Sequence, residues 1–132
     1  IPLMASIAKA SLRRICDWGV QELVNMPWAF AKLQCVHWPL MSALAASSIA
    51  TLTQFSAQDL STLAWSLAAM DIYDAPLMKA ISSSSRRSLD HFDPQHISMT
   101  AWSFSGLLWR DVPLLHSLAA SAIHSIKHFD GQ

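Results

Sequence analysis

From Trp18 to Gln132 the apolar and polar positions of this chain recur at one fixed interval. The stretch FSAQDLSTLAWSLAAM, beginning at Phe55, returns as FDPQHISMTAWSFSGL from Phe92, 37 residues further on. The same step links Gln58 to Gln95, Trp65 to Trp102 and Pro76 to Pro113. Taken backwards from Phe55 it reaches Trp18, followed by Gln21, Leu23, Trp28 and Pro39; from Pro39 it reaches Pro2. Taken forwards from Phe92 it reaches Phe129, with Gln132 in register. No insertion interrupts the period, and self-similarity of this length is the mark of a tandem repeat.

Each unit holds two apolar stretches. The first carries the columns Leu23/Leu60/Ile97, Trp28/Trp65/Trp102, Phe30/Leu67/Phe104 and Leu33/Met70/Leu107. Their offsets approximate one helical face, widened by the Trp, so the Trp column is expected to pack in the core. The second begins at Pro39/Pro76/Pro113 and continues through Leu40/Leu77/Leu114, Leu44/Ile81/Leu118 and Leu52/Leu89/Ile126. Leu3, Ile7 and Ile15 are its counterparts at the start of the chain. Proline suits the first turn of a helix, where its missing N–H would have no partner. Each unit therefore reads as helix, short turn, helix. Helices are predicted near 20–34, 38–53, 57–70, 75–90, 94–108 and 112–127, with a partial one before residue 17.

Local chemistry supports these starts. The column Ser56/Asp93/Asp130 offers an N-cap oxygen, and Pro94 fits the first helical position. Glu22 and Asp59 fall three residues after the cap, where a carboxylate meets the positive end of the helix dipole. Gly19 weakens the first cap. Pro27, standing where other units have Ala64 and Ala101, is expected to kink or shorten its helix at a cost of about 3 kcal/mol. The fold class expected is all-α, a right-handed α-solenoid of antiparallel helix pairs. Residues 1–17 are a partial repeat, 18–54, 55–91 and 92–128 are full repeats, and 129–132 start another. Three units are near the minimum for a stable stack, and neither end has a polar cap, so the segment reads as part of a longer protein.

The period and the pattern Q-x-L/I-x-x-x-x-W-A/S-F/L-A/S, followed by P-L-M/L, resemble the heptatricopeptide and octotricopeptide repeats. NMPWAFAKL, STLAWSLAAM and SMTAWSFSGL carry the likeness. That family is related to the FAST-kinase-like and RAP-domain proteins of apicomplexans, dinoflagellates and green algae. The resemblance implies RNA binding in mitochondria or plastids, in RNA processing, stability or translation, with some relatives built into organellar ribosomes. Partners implied are single-stranded or ribosomal RNA and other proteins of an organellar complex.

Charge tempers that implication. Nine Lys plus Arg balance nine Asp plus Glu, whereas nucleic-acid-binding domains usually carry a basic excess. A face matters more than a sum, and Lys9, Arg13, Arg14, Arg86 and Arg87 fall on or beside one column of the second helix. Aligned by a stack, they would form a discontinuous basic stripe fit for phosphates; equally, they complement helix C-termini. On the first helix, Glu22/Asp59/His96 and Asn25/Thr62/Met99 vary beside constant neighbours. Such variation fits a base-reading surface and also an unconstrained solvent face. The amide column Gln21/Gln58/Gln95/Gln132 is expected to bond backbone groups or stack between units. Trp38 and Trp109 fall in turns and are better placed for exposed contact, whereas Trp18 should pack.

Catalytic chemistry has little footing. His116, His124 and His128 lack a completing carboxylate or Cys set, so no metal or cofactor is expected. Cys16 and Cys35 read as reduced, partly buried thiols. Three Gly residues hardly build a phosphate loop. No apolar run reaches the length of a membrane span. Two functions stay open: an organellar RNA-binding repeat protein, or a scaffold subunit of a ribosome or photosynthetic complex.

Overall fold

A computed structural model describes residues 2–107 and 112–130, and among them there are helices and short connections but no strand. Seven α-helices follow in order: α1 (Pro2–Arg14), α2 (Val20–Lys32), α3 (Trp38–Thr51), α4 (Ala57–Ala69), α5 (Ala75–Arg87), α6 (Pro94–Gly106) and α7 (Val112–Asp130). Every predicted start from α2 to α7 coincides with an observed one. Several ends fall short, because the chain leaves the second helices through single 3-10 turns at Ile15–Asp17, Leu52–Gln54 and Leu89–His91. These turns are themselves repeat-equivalent.

The packing has two rows. Helices α2, α4 and α6 pack side by side in one, and α1, α3, α5 and α7 in the other. Adjacent members of a unit also touch, α2 with α3, α4 with α5 and α6 with α7. Each 3-10 turn packs against the following second-row helix. The core runs between the rows. Leu23, Leu60, Phe30 and Phe104 come from the first row, and Leu40, Leu77, Ile81 and Leu114 from the second; each is essentially inaccessible.

Caps hold the first-row helices in register. The Ser56 hydroxyl accepts from the Asp59 N–H (3.1 Å), and Asp59 Oδ2 accepts from the Ser56 N–H (3.0 Å). Asp93 and His96 repeat the exchange, with His96 Nδ1 accepting from the Asp93 N–H. At Gly19 only the Glu22 half remains, at 3.0 Å. Second-row helices are capped by His37 Nδ1, accepting from the Leu40 N–H, and by Asp74 Oδ1, accepting from the Leu77 N–H. Helices α2 and α4 end on residues in the left-handed region, Gln34 (φ 52) and Asp71 (φ 55). There the Cys35 N–H donates to the Phe30 carbonyl (3.0 Å) and the Ile72 N–H to the Leu67 carbonyl (2.9 Å), the closing bonds of a Schellman motif.

Several expectations fail for physical reasons. Trp28 and Trp102 are exposed, whereas Trp65 is half-buried and packs against the core, so the Trp column is not uniformly a core column. Residues two apart on a helix are separated by about 200°, and Phe30 already takes the inward direction. Pro27 does not shorten α2, which has 13 residues like α4 and α6; its buried ring is held by the surrounding packing. Leu3 and Ile126 are exposed, unlike their column partners, because no described helix covers those faces of α1 and α7. Leu33, too, is exposed where Met70 and Leu107 are buried. Cys16 is exposed rather than partly buried. Helix α7 also runs through to Asp130, where a new helix was expected to begin. In earlier units a 3-10 turn is held by the next second-row helix; here no described helix stands in that place.

Candidate RNA-facing surface

Because each second helix passes through one short turn into a first helix, the C-termini of α1, α3 and α5 share an edge with the N-termini of α2, α4 and α6. The opposite edge carries the first-helix C-termini. The candidate residues divide between these edges.

Between α2 and α4 lies a groove lined by Gln21, Asn25, Gln58, Asp59 and Thr62, with Trp28 at its far end. Between α4 and α6 lies its repeat-equivalent, lined by Gln58, Thr62, Gln95, His96 and Met99. The column Asn25/Thr62/Met99 therefore meets in successive grooves on one face. Glu22, Asp59 and His96 are committed otherwise, since each returns a hydrogen bond to its own cap backbone. The amides do not form a ladder to backbone at Gln21, whose Nε2 donates to Asn25 Oδ1 at 2.9 Å.

A third hollow opens at the turn after α3. Leu52 and Phe55 form its floor, and Ser84, Arg87 and His91 form its polar rim. Arg87 Nη2 donates to the Ser84 hydroxyl at 3.2 Å, which aims the guanidinium along the hollow. Arg13, Arg14, Arg86 and Arg87 are all exposed, as is Lys9. Among the described residues no carboxylate pairs with any of these five. Helices α1 and α5 both pack on α3, whose last turn has no basic residue, so Arg13 and Arg14 are separated from Arg86 and Arg87 by one helix. Arg13 with Arg14 and Arg86 with Arg87 each stand in the last turn of a helix, and Lys9 lies one turn before the first pair.

At the opposite edge Lys32 Nζ lies 5.5 Å from the Trp28 ring centroid and 5.4 Å from that of Trp65. Trp38 is not in a turn but at the first position of α3, and it is exposed. Trp109 lies outside the described residues, as does Gln132. Among the described residues no cluster of His, Cys, Asp or Glu is arranged to hold a metal ion, and no helix is long and apolar enough to cross a membrane.

Among the described residues the protein is helical throughout, with two similar grooves on one face. The chain belongs to the RNA-editing substrate-binding complex 6 protein family, whose sequence profile matches residues 28–132. Among curated proteins none matches the chain. The family match overturns the resemblance to heptatricopeptide and octotricopeptide repeats. That resemblance rested on a period and a Trp column, and any row of paired helices with similar lengths imposes similar spacings.

Proposed function

We propose that this chain is a non-catalytic α-solenoid segment, its units at 18–54, 55–91 and 92–128 stacked right-handedly, that contacts RNA within an RNA-editing assembly. The family's name ties it to a complex that binds the substrates of RNA editing. The observation that carries the reading is the pair of repeat-equivalent grooves bordered by Asn25, Thr62 and Met99. Grooves one unit apart suit an extended single strand, whose bases are read by a few side chains per helical repeat. Arg86 and Arg87, on the same edge, are placed for phosphates, because a guanidinium fork matches phosphate oxygens. An organellar setting is part of the proposal. The ribosomal and photosynthetic settings of the scaffold alternative find no support in the family match and are not retained.

Affinity for several single-stranded RNAs, measured over a range of salt, tests this reading. Replacing Arg86 and Arg87 with Ala is expected to weaken all strands alike and to flatten the log–log salt slope by about 0.7 per lost contact. Exchanging Asn25 or Thr62 should change the preference among strands and leave the slope alone. If neither affinity nor slope moves in any variant, this segment does not contact RNA.

A further inference from the structure

Gln58 and Thr62 line both grooves, so they cannot make the two differ in what they bind. The first adds Asn25 and Asp59, and the second adds Met99 and His96. An amide such as Asn25 can turn either its oxygen or its NH2 to a ligand, and the Met99 thioether is only a weak acceptor. The polarity of each groove therefore rests on Asp59 and His96, which stand in one repeat column.

Each of these side chains bonds its cap with one atom, which fixes the other. Asp59 Oδ2 accepts from the Ser56 N–H at 3.0 Å, and this leaves Oδ1 as an acceptor. His96 Nδ1 accepts from the Asp93 N–H at 3.2 Å, so the ring proton stands on Nε2, a donor. Asp93 Oδ1, 3.3 Å from the same Nδ1, would accept from it once the ring is protonated, and Nε2 keeps its proton in either form. Among the described residues neither Asp59 Oδ1 nor His96 Nε2 has a further hydrogen-bond partner. Asp93 also borders the second groove, but its side chain is 58% exposed against 19% for His96, so its carboxylate stays hydrated at the mouth.

We propose that the groove between α2 and α4 selects a base with an exocyclic amino group, and the groove between α4 and α6 a base with a carbonyl in its place. A carboxylate oxygen accepts from an amino group such as cytosine N4 and repels a carbonyl. An imidazole N–H donates to a carbonyl such as uracil O4 and has nothing to accept from an amino group. This selectivity rests on the reading of the grooves as a single-strand surface, and it makes neighbouring units read opposite classes of base.

Oligocytidine and oligouridine of equal length test it, because the two bases match in size and differ at the amino or keto position. Affinities are measured at neutral pH and fixed salt. The readout is the cytidine-to-uridine affinity ratio, from which a change in overall charge cancels. Asp59→Asn keeps an oxygen for the cap and turns the groove atom into an NH2 donor, so the ratio should fall roughly fivefold. His96→Glu installs the residue that Glu22 supplies in the same column and turns the donor into an acceptor, so the ratio should rise roughly fivefold. Both substitutions retain a cap acceptor, and an unchanged circular dichroism spectrum establishes that the variants fold. A ratio that is unmoved in either variant, or that moves the same way in both, overturns the selectivity while strand binding stands. If neither strand binds the unsubstituted chain, the RNA reading itself fails and the selectivity falls with it.

Discussion

Ser48 and Ser85 occupy one repeat column, are wholly buried, and have hydroxyls without a hydrogen-bond partner. Ser11, one unit earlier, escapes this by donating to the Ile7 carbonyl at 2.7 Å, and the fourth residue of the column is Ala122. A buried hydroxyl left unsatisfied costs about 1–3 kcal/mol. Its small volume lets α3 and α5 pack closely, and alanine would serve that purpose without the cost. Ser48→Ala and Ser85→Ala should each raise stability by about 1 kcal/mol, read from the midpoint of urea unfolding. A loss of stability in both would show that the hydroxyls have partners, such as ordered water.

At the scale of the element, the boundaries reflect two kinds of signal. Helix starts follow local chemistry, namely Ser56 with Asp59, Asp93 with His96, and Asp74 ahead of Pro76. The ends of α2 and α4 use non-glycine residues, Gln34 and Asp71, in the left-handed region. That conformation costs an L-residue roughly 1–2 kcal/mol, and glycine is the usual solution. Gln34→Gly and Asp71→Gly should therefore stabilise the chain by about 0.5–1 kcal/mol each, the unfolded-state entropy of glycine offsetting part of the gain. Thermal unfolding of the single and double variants checks this, and the two effects should add because the sites lie in different turns.

For the whole molecule, the same repeat position has different energetic weight in different units. Met41 and Met78 are buried, but Leu115, in the same column of α7, is 42% exposed. Met78→Ala should cost about 2–5 kcal/mol, as for other buried large-to-small changes. Leu115→Ala should cost under about 1 kcal/mol, since much of its surface is already in water. Comparing the two unfolding midpoints separates the effect of residue type from that of neighbours. A similar cost at both sites would mean that another surface covers Leu115 in solution.

The sequence by itself determined the period, the all-helical class and the helix starts, because caps, prolines and apolar spacing act within one or two turns of chain. It also marked Asn25, Thr62 and Met99 as variable positions beside a constant frame, and these meet in successive grooves. The exposure of Trp28 was legible too, since Trp28 and Phe30, two residues apart, cannot share one helical face. Only the tertiary structure decided that Lys32 lies between two indoles and that Leu3 and Ile126 are exposed. Those outcomes depend on which helices stand side by side and on what covers each face. A periodic sequence gives each unit the same local instructions, but burial and pairing are set by neighbours that differ from one unit to the next.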